Sequence, residues 1–146
     1  MELKQSLIEN KSIKVGVEAK NWQDAIKKGT DLLIKSKAVK EEYFHSIIKN
    51  TEEYGPYYII LPEVAMPHAR PECGVIKDSF SLITLREPVS FQDKQEKVSI
   101  VITLAATSSE NHNEKALIQI AELFDNENNV EIIKKAKNIQ EILDIL

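Results

Sequence analysis

Residues 79–85 (SFSLITL) and 98–104 (VSIVITL) are strand-like runs in which both alternating faces carry apolar side chains. Phe80 and Leu82 stand against Ile83 and Leu85 in the first, and Ile100, Ile102 and Leu104 against Val101 in the second. Successive strand residues point to opposite sides of a sheet, so such strands need cover on both faces. A sheet with one face in water is thereby excluded, and the rest of the chain must supply two covering layers.

The covering segments are readable from their 3.6-residue periodicity. Asn21 can cap a helix that places Trp22, Ala25, Ile26, Gly29, Leu32 and Leu33 on one face and ends near Ser36. A second helix is predicted over about 40–53, with Phe44, Ile47, Ile48 and Thr51 inward, and Gly55-Pro56 breaks it. Three more helices are expected to close the chain, each opened by an Asn with a Glu three residues later: Asn111 with Glu114, Asn128 with Glu131, and Asn138 with Glu141. Ala116, Leu117, Ile120, Ala121 and Phe124 form the buried stripe expected of the first, and Ile139, Ile142 and Leu143 that of the last.

Further strands are expected at 12–17, where Ile13, Val15 and Val17 alternate with polar residues and Gly, at 57–61, and briefly at 64–66; an apolar-spaced opening precedes the first. Between them Pro62, Pro67 and Pro71 restrict the backbone to extended loop. Helices interleaved with strands give an α/β single domain over 1–146, a mixed β-sheet flanked by helices on both faces. The length of 146 residues fits one domain, and neither repeat nor linker divides it.

Composition narrows the class of function. With 42% hydrophobic residues the chain is too apolar for disorder. With 19 Lys+Arg against 23 Asp+Glu and no dense basic run, a nucleic-acid partner is not indicated. One cysteine, Cys73, permits neither an intramolecular disulfide framework nor a multi-cysteine zinc site. No leader-like or membrane-spanning apolar run appears, which gives a cytoplasmic expectation.

Among the three histidines, His45 falls on the solvated side of its helix, in line with Glu41 and Lys49. His68 lies in MPHARP, between Pro67 and Pro71, so its backbone is stiff. Two readings fit it: a loop histidine bonded to its own backbone, or a rigidly presented reactive imidazole, which costs less ordering when a partner docks. His112 falls in the first turn of the helix expected after Asn111, where unpaired N–H groups and the positive helix end can hold an anion; an exposed helix-start histidine is the plainer alternative. Together with Arg70 they form a set suited to phosphoryl transfer. Other constellations are missing. There is no glycine-rich phosphate loop and no G-x-S-x-G elbow, Cys73 reads as a small loop residue, and no H-E-x-x-H pair joins a histidine to Glu63 or Glu114. No cofactor and no metal are expected.

The segment GPYYIILPEVAMPHARPE (55–72), followed by Gly74-Val75, resembles the phosphorylation-site segment of enzyme IIA components of the bacterial sugar phosphotransferase system. It is similar to the mannitol/fructose class and, within that, to the ascorbate-specific branch with its G-P-Y…P…A…P-H-A-R-P-E pattern. The order of helices and strands extends the likeness over nearly the whole chain and implies the mannitol/fructose-type IIA fold.

The resemblance implies that His68 is the phosphorylated nucleophile, taking a phosphoryl group from the phosphohistidine of HPr and passing it to a cysteine of a cognate IIB component that serves a membrane IIC component. A neutral imidazole is needed for the attack, and an unperturbed pKa of ~6.5 leaves it mostly neutral near pH 7; an inward-facing Glu63 or Glu72 would disfavour that form. His112 is implied as the phosphate-stabilising partner. Aligning the apolar stripe instead puts Asn113 in that slot. Mannitol-type relatives carry an arginine near the end of the preceding helix, where this chain reads Lys49-Asn50-Thr51-Glu52-Glu53. Arg70, or else Lys49, is therefore the substitute expected to neutralise charge. Met66, Ile60 and Pro71 are expected to contribute docking surface, with Ile60 equally readable as core. A regulatory module of the same fold, controlling another protein rather than feeding a transporter, is the alternative function.

Overall fold

The expected double cover is present, with one core cluster on each side of the sheet. The computed structural model describes residues 2–92, 96–110 and 115–146. Among them the elements run α1 (Leu3–Glu9), β1 (Ile13–Val17), α2 (Trp22–Lys35), α3 (Glu41–Tyr54), β2 (Ile59–Leu61), β3 (Val64–Ala65), a 3₁₀ turn (Pro71–Cys73), β4 (Ser79–Ser90), β5 (Lys97–Ala105), α4 (Leu117–Asp125), α5 (Asn128–Lys135) and α6 (Ile139–Leu143). The strands form one sheet in the order β1-β4-β5-β3-β2. β1 runs parallel to β4 and β3 parallel to β5, while β4 with β5 and β2 with β3 are antiparallel.

Alternation assigns the two faces. Ile83, Leu85, Val101 and Ala105 join Ala25, Ile26 and Leu33 of α2 and Tyr43 and Ile47 of α3 in one cluster. Phe80, Leu82, Ile100, Ile102 and Leu104 join Leu3 and Leu7 of α1, Ile120 of α4, Ile133 of α5 and Ile142 of α6 in the other. Burying a side chain of this size stabilises by about 1.5–3 kcal/mol, so the sheet is held from both sides. β4 continues past the expected residue 85 to Ser90 across a register shift between Thr84 and Val89, and Pro88 is tolerated at this irregularity because a bulge needs no ladder donor there.

Several expectations are corrected. The apolar-spaced opening is the helix α1. On α3 the buried stripe is Tyr43, Ile47 and Thr51, with Phe44 and Ile48 only half-buried on its flank. Tyr43 can enter the core because its hydroxyl finds the Leu104 carbonyl; a phenol is buried at little cost when its oxygen is bonded. On α4, Leu123 takes the inward place expected of Ala121, which is exposed, and Leu117 and Phe124 are half-buried. Ile139 of α6 is 42% exposed.

The three Asn signals part company. Asn21 and Asn138 cap as expected, accepting the N–H of Asp24 at 2.8 Å and of Glu141 at 3.1 Å. Asn128 does not: Glu127 is already helical in backbone, so Asn128 is the first residue of α5, and its N–H is taken by Asn126 Oδ1 at 3.0 Å. The pair Asn111 and Glu114 lies outside the described residues.

Gly29 sets how closely α2 approaches the sheet. A Cβ there would lie 2.6 Å from Thr103 Oγ1, itself fully buried and without a hydrogen-bond partner among the described residues. Overpacking of this kind costs about 1–3 kcal/mol, against about 1 kcal/mol gained by replacing a helical glycine with alanine. Gly29→Ala is therefore expected to lower unfolding free energy in urea by about 1 kcal/mol, and adding Thr103→Ala should recover the loss.

Candidate functional site

The short strand β3 carries the chain to the edge where the parallel strands β3 and β5 both end, the usual place for sites in open α/β sheets. Pro62 and Glu63 make the turn from β2, with Glu63 in the left-handed region at φ 71°. Past β3, Met66 N–H donates to Tyr58 O at 2.9 Å and Leu104 N–H donates to Pro67 O at 3.0 Å. The backbone is thus pinned to both neighbours up to the residue before His68. Beyond it, Cys73 N–H reaches Arg70 O at 3.0 Å in the 3₁₀ turn, and Lys40 N–H reaches Gly74 O at 2.8 Å, fastening the far end of the segment to the start of α3.

Gly74 adopts φ 117°, a conformation that side chains rarely accept, and a Cβ there would meet Glu42 Cγ at 2.9 Å. The tight passage under α3 therefore depends on glycine.

His68 is half-buried, and its Nδ1 lies 2.8 Å from the Met66 carbonyl oxygen. A carbonyl only accepts, so in the neutral ring Nδ1 carries the proton and Nε2 the lone pair. The first reading of His68 holds: the ring is bonded to its own backbone, and that bond leaves the lone pair of the neutral ring on Nε2. Tyr57 donates its hydroxyl to the His68 carbonyl at 2.8 Å, and the two rings stand perpendicular with centroids 5.5 Å apart. On the core side, Tyr43 oxygen accepts the Ala69 N–H at 3.0 Å while donating to Leu104 O.

His68 opens into a groove of about 650 Å³, whose walls include Asn50 and Tyr54 of α3, Tyr57, Arg70, Cys73, and Ala106 and Ser109 from the loop after β5. That loop is held by Asp78, whose Oδ1 accepts Thr107 N–H at 2.6 Å and its hydroxyl at 3.1 Å. Burial pushes the Tyr57 phenol above its ordinary pKa, opposed by a hydrogen bond from Asn50. Desolvation raises Tyr43 and Tyr58 further. The Tyr57 phenol on the groove wall is therefore neutral near pH 7.

Arg70 lies on the groove wall, exposed and in no ion pair among the described residues. The groove wall includes Asn50, and Lys49 is exposed beside it. His112 and Asn113 lie outside the described residues. His45 is exposed on α3 as expected.

The two carboxylates that could have disfavoured a neutral imidazole are engaged elsewhere or exposed. Glu63 pairs with Lys134 at 2.7 Å and accepts from Ser99 at 3.0 Å, and the Lys134 ammonium holds its carboxyl below the usual range. Glu72 is exposed. Of the residues expected to offer docking surface, Met66 is 1% exposed and cannot; its side chain joins the core beneath the site. Ile60 is 40% exposed, surface rather than core.

Tyr43, Asn50, Tyr54 and Tyr57 escaped the sequence reading. Tyr43 was hidden because the helical stripe is readable one residue later, from Phe44. Tyr57 and Tyr58 read as a strand, and a strand reading does not reveal that one ring enters the core while the other turns over His68.

The comparisons with known proteins agree with this geometry. The family model described as "Phosphoenolpyruvate-dependent sugar phosphotransferase system, EIIA 2" matches residues 6–146. The ascorbate-specific PTS system EIIA component of Escherichia coli (strain K12) is 44% identical over 147 aligned positions, covering 100% of this chain and 96% of that protein. A PTS IIA crystal structure from Streptococcus mutans superimposes with a TM-score of 0.95 at 48% identity, covering 99% of this chain and 92% of the other. The solution structure of the mannitol-specific cryptic enzyme IIA of Escherichia coli gives 0.89 at 36% identity, covering 99% and 97%. No helix among the described residues is long and apolar enough to cross a membrane. With a family model and full-length relatives in agreement, the chain belongs to the EIIA 2 family of the phosphoenolpyruvate-dependent sugar phosphotransferase system, a family of phosphotransferases.

Proposed function

We propose that this protein is a histidine phosphocarrier in which His68 Nε2 takes a phosphoryl group from the phosphohistidine of HPr and hands it to a cysteine of a cognate IIB component. The IIB component would then phosphorylate a substrate carried by a membrane IIC component. The observation that carries this reading is the bond from His68 Nδ1 to the Met66 carbonyl, which leaves the neutral ring's lone pair on Nε2 of a residue that lines the groove.

In the first step the Nε2 lone pair attacks phosphorus, the new N–P bond forms, and the N–P bond to the HPr imidazole breaks. In the second a IIB thiolate attacks the same phosphorus, and Nε2 leaves with its electron pair. The proton stays on Nδ1, donated to the Met66 carbonyl, throughout, so His68 needs no separate base. Little chemistry is asked of the protein beyond alignment and charge neutralisation. Arg70, two residues along on the groove wall, supplies positive charge to the phosphoryl oxygens. His112, or Asn113 in its place, is the further phosphate partner within this proposal on the strength of the sequence resemblance. The substrate class proposed is ascorbate or a related compound, supported by the 44% identical ascorbate-specific relative.

The test is a reconstituted relay of phosphoenolpyruvate, enzyme I, HPr, this protein and an ascorbate-type IIB component. Label is expected to appear on this protein as an acid-labile, base-stable adduct and then to pass to the IIB cysteine. A phosphorylated protein that hands nothing to IIB would overturn the carrier role in favour of a regulatory module.

A further inference from the structure

Pro67 and Pro71 fix their own φ angles, but neither fixes the side-chain torsions of His68. The Nδ1 bond to the Met66 carbonyl holds one edge of the imidazole. A nucleophile that must meet phosphorus in line needs close restraint, because a misplacement of about 1 Å can cost about 10²-fold in rate. Tyr57 makes two contacts that contribute to it. Its ring stands at 89° to the imidazole with centroids 5.5 Å apart, and its hydroxyl holds the His68 carbonyl at 2.8 Å.

Tyr57 is itself well anchored. The next residue, Tyr58, is 1% exposed in the core and bonded to Thr51 at 2.7 Å, and the two phenol rings pack at 5.1 Å. Tyr57 remains 48% exposed, so its substitution leaves the core intact.

We infer that Tyr57 is a positioning residue for His68, its ring and hydroxyl together holding the imidazole so that Nε2 faces the incoming phosphoryl group. This rests on the phosphocarrier reading. The phenol stays neutral in this setting, so it brings no negative charge toward the phosphoryl oxygens.

The test combines initial-rate kinetics with nitrogen-15 spectra of the unphosphorylated imidazoles. Tyr57→Phe keeps the ring and loses the hydroxyl bond; its kcat for accepting phosphoryl from phospho-HPr should fall about 3–10-fold. Tyr57→Ala loses both contacts and should fall about 10–100-fold. In each the KM for phospho-HPr should stay within about twofold, as expected when ground-state binding is untouched. In Tyr57→Ala the His68 ring signals should move from a single Nδ1–H tautomer toward a mixture, while His45, remote on the exposed side of α3, keeps its signals and reports an intact fold. Wild-type kcat in both variants would overturn the inference, as would unchanged His68 ring signals in Tyr57→Ala. A loss confined to KM would also overturn it and make Tyr57 a docking residue. Should the wild-type protein accept no phosphoryl group at all, the carrier reading fails separately, and the ring signals still decide the role of Tyr57.

Discussion

His68→Ala is expected to take no phosphoryl group from phospho-HPr, while His45→Ala takes it at the wild-type rate. Both residues are imidazoles on the same domain, and the difference lies in what surrounds them. His45 is exposed on α3 with its ring against Phe44 at 5.2 Å, and it is not among the residues that line the groove at His68. His68 has its proton directed to Nδ1, its backbone held at the carbonyl by Tyr57 and at the following N–H by Tyr43, and Arg70 within the same groove. Removing a nucleophile ends covalent transfer outright, whereas removing an aligning group leaves a residue of activity. The loss in His68→Ala should therefore reach the background of the assay. Because His68 is half-buried on a loop, the variant should unfold within about 1 kcal/mol of wild type, separating loss of chemistry from loss of fold.

Tyr43→Phe is expected to show the largest effect on stability of any conservative substitution near the site. The Tyr43 oxygen is shared by the Ala69 N–H, which follows His68, and by the Leu104 carbonyl, at the end of β5. Phenylalanine keeps the packing of the ring and leaves both backbone groups short of a partner. At about 1–3 kcal/mol for each buried group so orphaned, a loss of about 2–4 kcal/mol is expected in urea denaturation, with slower phosphoryl acceptance as residue 69 drifts from β5.

The same substitution alters the alkaline limb of the stability curve. Burial raises the folded-state pKa of Tyr43 above its unfolded value of about 10. The folded state then holds its proton more tightly than the unfolded chain, so the stabilisation is fully present below pH about 10 and is lost as pH rises through the folded value. Tyr43→Phe removes that titration. Its stability should decline less steeply above pH 10 than that of the wild type, leaving Tyr58, also raised by burial, as a remaining contributor.

The sheet was legible because its two central strands carry apolar residues on both faces, which left an α/β arrangement with two covering layers as the solution. Alternation over 98–104 foretold which side chains meet which layer: Ile100 and Val101, adjacent in sequence, lie in opposite clusters. Asn21 and Asn138 were legible as caps because the residue three places on offers its N–H in a helical turn. Asn128 was not, because the choice between capping and beginning a helix is made by the backbone of Glu127, which is already helical there. Similar local ambiguity hid the role of α1, whose seven residues are too few to display a full periodic pattern.

The candidate site was legible where it is local. His68 and Arg70 lie within three residues of each other between two prolines, and no tertiary knowledge is needed to see a stiff imidazole beside a cation. The tyrosines were hidden because their contacts are long-range: Tyr43 reaches Leu104 across the sheet edge, and Tyr57 reaches back over His68 from the far side of β2 and β3. The pairing of Glu63 with Lys134 was equally invisible, and it turns a carboxylate five residues from His68 toward a helix on the other layer.

The site of phosphorus attachment tests the central claim most directly. With the protein labelled in nitrogen-15 and phosphorylated through enzyme I and HPr, phosphorus–nitrogen coupling should appear on Nε2 of His68, with Nδ1 still protonated and bonded to the Met66 carbonyl. Coupling to Nδ1 of His68, or a phosphoryl group on any other residue, would contradict the account.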